Sequence, residues 1–167
     1  MRVGIGHDVH PLVSGRNLVL GGINIPFDKG LSGHSDADVL THAIIDALLG
    51  AAGLKDIGNQ FPPDDPRYKD ISSLTLLDEV DELLKAKGLK IGNIDAIVVA
   101  QQPKLSSFID DMRDCLSQTL KITLEQVMVK ATTTDGLGFA GSRGEGMAAY
   151  AVALVEEDIV SFDGRTT

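Results

Sequence analysis

The order of strand-like and helix-like segments limits the folds open to this chain of 167 residues. A strand-like apolar run over residues 2–10 comes first, and residues 17–27 contain two short strands around Gly21-Gly22 that predict a hairpin. Longer segments with helical spacing follow and alternate with buried strand-like runs. A hairpin followed by crossover helices predicts an α/β (α+β) fold, a two-layer sandwich whose mixed β-sheet has helices on one face.

The later segments are assigned from their periodicity and their capping residues. Loops are predicted over residues 29–33 and, as a long surface loop, over residues 55–70. Helices are predicted from an N-cap at Ser35-Asp36 to a stop at Gly53, over residues 73–86, and over residues 106–120 with Ser106 or Ser107 as the cap. Strands are predicted over residues 91–100 and 126–133, whereas residues 146–155 fit either a helix or a strand.

The apolar content predicts one domain and a partner for the sheet. Residues 94–100 carry apolar side chains on both faces of their strand, so the face without helices is expected to be buried against another subunit. With 43% hydrophobic residues, residues 1–160 suit a single domain with its own core, and residues 161–167 are expected to form a flexible tail.

Charge and apolar run lengths exclude two classes of partner. A net charge of −9 disfavours nucleic acid and anionic membranes. No apolar stretch approaches the roughly 20 residues that span a bilayer. A phosphorylated substrate therefore needs local positive charge from metal ions, lysines or helix N-termini.

Cysteine content and the first residues bear on the compartment. The single cysteine, Cys115, allows no disulfide within the chain and favours a reducing compartment. Met1 leads directly into a strand-like run, which predicts no signal peptide. A cytoplasmic location is expected, and an organellar stroma stays open if a transit segment has been removed.

Two histidines and a carboxylate are the main candidate site. Asp8 and His10 alternate along the first strand, so both side chains leave the same face. If the helix that carries His42 packs against that strand, the three groups form the ligand set of an open catalytic zinc site. Asp46, one turn later, is placed to hold the second ring nitrogen of His42. The alternatives are a solvated strand end and an ordinary helix histidine.

Three other segments suit a phosphorylated substrate, and each has an ordinary structural alternative. His34 precedes the predicted cap and faces either a cleft or water. Lys104 lies between a predicted buried strand and a predicted helix. It either faces an anion bound at the helix N-terminus or belongs to an ordinary strand-to-helix turn. Thr132-Thr133-Thr134 lies at the end of a predicted strand. Its hydroxyls either have a functional role or belong to a common threonine-rich sheet edge. The glycine-rich residues 141–146 match neither a Walker A loop nor a dinucleotide fingerprint, so no ATP or NAD site is predicted.

An ordered set of motifs spans residues 8–146 and is more specific than any of its members. The motifs are Asp8-Val9-His10, His34-Ser35-Asp36, His42 with residues 46–51, Asp56-Ile57-Gly58, Phe61-Pro62, residues 130–134, Gly138-Phe139 and Arg143-Gly144-Glu145-Gly146. Together they resemble the 2-C-methyl-D-erythritol 2,4-cyclodiphosphate synthase family of non-mevalonate isoprenoid biosynthesis.

The resemblance implies a lyase and a homotrimer. In that family the 2-phosphate of 4-diphosphocytidyl-2-C-methyl-D-erythritol 2-phosphate attacks the β-phosphorus of its own diphosphate, and CMP leaves. Three active sites lie between subunits, so the other sheet face is buried in the trimer. Zn²⁺ or another divalent ion at Asp8, His10 and His42, with Mg²⁺ or Mn²⁺ at the diphosphate, lets an acidic protein bind a polyanion.

The resemblance also implies residue roles. His34 and Thr133 stabilise the transition state. The contacts with the methylerythritol and phosphate groups are Asp56, Gly58, Phe61 and Asp65. The cytidine monophosphate pocket of the neighbouring subunit contains Ala100, Pro103, Lys104, Leu105, Ala131 and Thr132. Further substrate contacts are Asp8, His10, Ser35, Asp135, Phe139 and Arg143.

The sequence departs from the family pattern at four positions. Asp135 stands where Glu is usual, so dependence on Mg²⁺ or Mn²⁺ is expected to persist through a weaker or water-mediated contact. Pro63 replaces a common Asp, and Ser142 is a one-residue insertion before Arg143. His7 stands where an aromatic residue often lines the trimer axis, which affects any isoprenoid cavity there.

Two competing functions come from other classes. A zinc hydrolase would use a metal-bound water as nucleophile, and the sequence places no obvious general base beside the ligands. A non-catalytic trimeric binding protein would leave the threonine-rich segment, Lys104 and Asp56 without a purpose.

Overall fold

Seven strands form within residues 1–141 and 144–158, which are the residues that the computed structural model describes. They are β1 (Arg2–Ser14), β2 (Leu18–Leu20), β3 (Ile23–Ile25), β4 (Lys29–Leu31), β5 (Leu89–Val99), β6 (Val127–Thr132) and β7 (Gly146–Glu157). One sheet has the order β4-β1-β7-β5-β6, and β2 and β3 pair separately as the predicted hairpin. Strands β5 and β6 are parallel while the other pairs are antiparallel, so the predicted mixed sheet is confirmed.

The helices lie on one face of this sheet. They are α1 (Val39–Ala52), α2 (Ile57–Gln60), α3 (Ser73–Ala86) and α4 (Ile109–Leu120), with 3₁₀ turns at Pro66–Tyr68 and Leu124–Gln126. Helix α1 packs on β1 and β7 and is flanked by α3, which also contacts α4. This confirms the two-layer sandwich. In the described part of the chain, no helix combines the length and apolarity of a bilayer span.

Two glycines bring β1 and α1 unusually close together. A Cβ atom on Gly4 would overlap the carbonyl oxygen of Ala47, and one on Gly6 would overlap that of Ala43. The facing residues of α1 are Ala43 and Ala47, whose small side chains also allow a short distance between strand and helix. The strand backbone therefore lies directly on the helix backbone, which decides how far side chains must reach between them.

The opposite face of the sheet exposes apolar side chains. Val3 and Ile5 of β1 are 67% and 73% exposed, and Tyr150 and Val152 of β7 are 47% and 44% exposed. Ile5 and Val152 are direct partners across the two strands. A continuous apolar surface of this kind marks an interaction site rather than a solvated face.

Helix α1 begins two to three residues later than the sequence predicts. Its N-cap is Asp38, whose fully buried carboxylate accepts hydrogen bonds from the backbone N–H groups of Gly21, Gly22 and Thr41 and from the Thr41 hydroxyl. Ser35-Asp36 was therefore the wrong cap, because the buried carboxylate that joins the hairpin turn to the helix cannot be recognised from local spacing. Gly53 ends the helix in the left-handed conformation, as predicted.

Other boundaries differ where tertiary pairing outweighs local pattern. Residues 29–31 form β4 against β1 rather than a loop. Residues 55–70 contain α2 and a 3₁₀ turn rather than one long loop. Helix α4 has Phe108 as its N-cap, without a side-chain hydrogen bond, in place of Ser106 or Ser107. Helix α3 has the predicted bounds.

Residues 146–157 form the central strand of the sheet. Strand β7 pairs with β1 on one side and β5 on the other. Hydrogen bonding on both edges therefore makes this segment a strand, where the sequence fitted either a helix or a strand. Ala149, Ala151 and Ala153 alternate with the exposed Tyr150 and Val152 and lie on the α1 side, where small side chains are needed. The predicted tail at residues 161–167 lies outside the described residues.

Candidate active site

Three potential metal ligands meet where β1 faces α1. Asp8 Oδ2 lies 3.0 Å from His10 Nε2 and 2.9 Å from His42 Nδ1, and the two nitrogens are 3.3 Å apart. Asp8 and His10 are alternate residues of β1, and His42 lies in the first turn of α1. The close packing of strand and helix at Gly6 brings these groups within reach. The meeting predicted from the sequence is confirmed.

The donor atoms of this triad fit a divalent cation. His10 Nδ1 lies 2.8 Å from the carbonyl oxygen of Ser32, which can only accept, so the ring donates there and presents Nε2 to the triad. His42 Nε2 is hydrogen-bonded on the side away from Asp8. The spacing of 2.9–3.3 Å matches the edge of about 3.3 Å expected for tetrahedral ligands of zinc. These three residues would hold the cation.

The protonation of the triad also indicates a cation site. Burial raises the pKa of the Asp8 carboxyl, but hydrogen bonds from His10 and His42 outweigh it and hold the pKa far below its usual value. Burial lowers the pKa of His10, but the bond to Asp8 raises it above its usual 6.5. Cation binding at these groups must displace the proton of the His10–Asp8 hydrogen bond, so metal affinity is expected to rise with pH.

The pH dependence of the metal-free protein is expected to follow His10. Because its pKa is raised on folding, the protonated ring stabilises the fold below pH 6.5, and this contribution is lost as the pH rises through the raised value. The unfolding temperature of chelator-treated protein should therefore fall further between about pH 6 and about pH 9 than that of His10→Gln. Equal falls in the two proteins would contradict the assignment.

The loop that carries His34 and Ser35 is fixed by hydrogen bonds from residues outside the loop. Arg16 donates from Nη1 to the carbonyl of Gly33 at 3.1 Å and from Nη2 to that of Ser35 at 2.7 Å. The backbone N–H of Asp70 donates to the carbonyl of His34 at 2.9 Å. Three successive carbonyls are thus fixed, so the loop is preorganised beside the triad.

A cavity of about 310 Å³ opens on the triad. The sequence-predicted residues that line it are Asp8, His10, His34, Ser35, His42, Gly58 and Phe61. It is also lined by Ile57, Pro63, Tyr68 and Leu76, for which no site role was predicted from the sequence. Tyr68 stacks edge-on with Phe61 at 5.4 Å, an apolar contact that no motif indicates.

A second cavity of about 730 Å³ contains the predicted cytidine residues. It is lined by Ala100, Pro103, Lys104, Leu105, Ala131, Thr132 and Thr133, together with Phe27, Gln101, Gln102 and Ser106, which the sequence did not single out. The two cavities share no lining residue. The predicted site residues therefore form two groups on one subunit.

Several predicted site residues line neither of these two cavities. Asp56 caps α2, where hydrogen bonds from the side chain and backbone of Asn59 lower its pKa. Asp65 binds Arg67 through both Nε and Nη2, which lowers the pKa of Asp65. Asp135 accepts from the Thr133 hydroxyl at 3.2 Å. Phe139 is 42% exposed.

Two remaining predictions concern the surroundings of the triad. Asp46 does not hold the second nitrogen of His42; its carboxylate accepts from the backbone N–H of Ile57 at 2.7 Å instead. That nitrogen contacts the hydroxyl of Ser73, which lies 31 positions away and carries no local signal. Arg143 and the Ser142 insertion lie outside the described residues.

Comparison with known proteins gives consistent matches. A family model described as the YgbB family matches residues 1–156. The 2-C-methyl-D-erythritol 2,4-cyclodiphosphate synthase of Pelotomaculum thermopropionicum is 64% identical over 157 residues, which cover 94% of this chain and 96% of that protein.

Solved structures match the fold. The bifunctional IspDF from Campylobacter jejuni has a TM-score of 0.90 and 42% identity over 93% of this chain, which spans only 42% of that longer protein. A 2C-methyl-D-erythritol-2,4-cyclodiphosphate synthase in its CDP-bound form has a TM-score of 0.85 and 35% identity, with coverage of 93% and 100%.

Proposed function

This chain belongs to the YgbB family, and we propose that it catalyses the reaction for which its relatives are named. It converts 4-diphosphocytidyl-2-C-methyl-D-erythritol 2-phosphate into 2-C-methyl-D-erythritol 2,4-cyclodiphosphate and CMP, a step of isoprenoid precursor biosynthesis. The observation that carries the proposal is the triad of Asp8, His10 and His42, whose donor atoms converge at 2.9–3.3 Å on the wall of a cavity.

The reaction is an intramolecular phosphoryl transfer. An oxygen of the 2-phosphate forms a bond to the β-phosphorus, the bond from that phosphorus to the bridging oxygen breaks, and CMP leaves with that oxygen. The protein contributes position and charge compensation rather than covalent chemistry. His34, exposed on its fixed loop, and Thr133 orient the diphosphate and stabilise charge on its oxygens in the transition state.

The metal requirement follows from the donor sets. Asp8, His10 and His42 would hold Zn²⁺ or a related divalent ion, and Asp135 would contact Mg²⁺ or Mn²⁺ carried with the diphosphate. When bound, these cations supply Lewis-acid neutralisation of the crowded phosphate oxygens. The carboxylate of Asp135 already accepts from Thr133, so it is close to the proposed phosphate-binding hydroxyl.

Each cavity suits one end of the substrate. Gly58, Phe61 and Ser35 line the cavity beside the triad and suit the methylerythritol and phosphate groups, and Asp56, Asp65, Phe139 and Arg143 are proposed as further contacts. The second cavity suits cytidine monophosphate: Lys104 supplies charge, while Ala100, Pro103, Leu105, Ala131 and Thr132 shape the pocket.

The two cavities are proposed to join between subunits of a homotrimer. The unshared lining residues and the apolar sheet face of Val3, Ile5, Tyr150 and Val152 both support this arrangement. Each active site would combine one subunit's triad with its neighbour's cytidine pocket. Residues 1–160 are proposed as the domain, in the cytoplasm, where a reduced Cys115 is expected.

Ile5→Lys is expected to dissociate the trimer. Its side chain is 73% exposed on the apolar face, and burying an unpaired ammonium there costs about 4 kcal/mol per subunit. Light scattering should report a monomer, with kcat/KM lowered by about 100-fold or more. Leu124→Lys, at an apolar residue that is 37% exposed outside the sheet, is the control. A trimeric, active Ile5→Lys protein would refute the proposed interface.

The proposed activity is tested with the purified protein, the cytidyl substrate and Mg²⁺. Phosphorus NMR should show CMP and the cyclic diphosphate in equal amounts, and a chelator should stop their formation. Substrate that stays intact in the presence of Mg²⁺ and Zn²⁺ would contradict the proposal.

A further inference from the structure

The ring of His42 is held on the side opposite to the triad. Its Nε2 lies 2.8 Å from the hydroxyl of Ser73 and 3.1 Å from that of Ser35. Ser73 is the first residue of α3 and is fully buried. The Ser73 hydroxyl at this nitrogen is therefore shielded from solvent.

The direction of the hydrogen bonds fixes which nitrogen of His42 carries the proton. The Ser73 hydroxyl donates to Oδ1 of Asp36, because a carboxylate oxygen can only accept. The Ser73 oxygen is then the acceptor for His42 Nε2–H. Because the Nε2 proton is committed to Ser73, a cation that displaces the Nδ1 proton from its bond with Asp8 meets a lone pair on Nδ1 directed at the triad.

Asp36 is itself held in place for this role. Its Oδ2 accepts the backbone N–H of Ser73 at 2.9 Å, and its Oδ1 also lies 3.2 Å from the backbone N–H of Asp38. The carboxylate thus joins the loop before α1 to the start of α3. The resulting chain of hydrogen bonds runs from Asp36 through Ser73 to His42.

We propose that Ser73 and Asp36 are positioning residues that fix the tautomer and ring orientation of His42 as a metal ligand. The inference rests on the metal site of the proposed function but not on the cyclisation itself. Outer partners of ligating histidines contribute about 10-fold to 100-fold to metal affinity. The Ser35 hydroxyl, at 3.1 Å, is a weaker substitute, so an effect of about 10-fold is expected for loss of Ser73 alone.

Ser73→Ala isolates the hydroxyl. The backbone N–H of residue 73 still donates to Asp36, so the start of α3 keeps that contact. Ser72→Ala is the matched control, since Ser72 is the adjacent exposed residue and makes no side-chain cap hydrogen bond. Asp36→Asn is the second variant, because it weakens the acceptor of the Ser73 proton with little change in shape.

The experiment measures Zn²⁺ affinity by competition with a chromophoric chelator, and the visible absorption of the Co²⁺-loaded protein, without substrate. Ser73→Ala should bind Zn²⁺ at least about fivefold more weakly and alter the Co²⁺ bands, while Ser72→Ala matches the unaltered protein. Circular dichroism checks folding, and if Ser73→Ala is unfolded, Asp36→Asn decides by the same criteria.

A smaller loss of affinity, or an equal loss in Ser72→Ala, would overturn the proposal. If the unaltered protein binds neither Zn²⁺ nor Co²⁺, the proposed metal site itself fails and the positioning role with it. Absence of cyclisation by a protein that binds Zn²⁺ normally would instead overturn only the proposed reaction. The two failures are therefore distinguishable.

Discussion

Asp8→Asn is expected to lower kcat by about three orders of magnitude, which corresponds to about 4 kcal/mol of lost transition-state stabilisation. The variant keeps the shape of the side chain but removes the negative charge that joins His10 and His42. An amide oxygen is a poor zinc ligand, so the cation that compensates the phosphate charge is lost or displaced. Turnover of the cytidyl substrate with saturating Mg²⁺ is the measurement.

Asp78→Asn is the control for this change, because Asp78 is an exposed carboxylate paired with Lys121. It should retain normal turnover and metal content. Asp8→Asn with kcat within tenfold of the unaltered protein would refute a catalytic role for the triad. Zinc content measured on the same samples separates loss of metal from loss of the fold.

Gly6→Ala is expected to reduce both stability and metal binding. The added Cβ would overlap the carbonyl oxygen of Ala43, and because both atoms belong to backbone, β1 and α1 must move apart. Overpacking of this kind costs about 3 kcal/mol, or about 10 °C in unfolding temperature for a domain of this size. The same displacement separates Asp8 and His10 from His42, so Zn²⁺ affinity should fall at least tenfold.

Gly50→Ala in α1 is the matched control. A Cβ there would meet only the carbonyl oxygen of Ile5, at 3.9 Å, an ordinary contact distance. Replacement of glycine within a helix stabilises by up to about 1 kcal/mol, so this variant should unfold at an equal or higher temperature. If Gly6→Ala matched Gly50→Ala in stability and Zn²⁺ affinity, the close packing would not be what aligns the ligands.

The sequence predicted elements whose periodicity is strong and local. Helix α3 has its predicted bounds, and the hairpin of β2 and β3 follows from the Gly21-Gly22 turn. Short edge strands and helix caps were less predictable, because β4 exists through pairing with β1 and Asp38 caps α1 through donors from another segment. Strand β7 was ambiguous until both of its neighbours were known.

The candidate site was predictable to the extent that its residues share motifs. The meeting of Asp8, His10 and His42 followed from strand alternation and one helix, and the structure confirms it. The partner of His42 was predicted wrongly, because Asp46 is near in sequence whereas Ser73 and Asp36 meet only after α3 packs beside α1. Spacing gives no information about contacts between such distant segments.

The central claim is that the substrate's own phosphate, rather than water, attacks the β-phosphorus. It is tested most directly by turnover in water enriched in oxygen-18, followed by mass spectrometry of both products. The account predicts that neither CMP nor the cyclic diphosphate contains solvent oxygen. Oxygen-18 in CMP, or in a linear phosphorylated methylerythritol, would contradict it and identify the protein as a hydrolase.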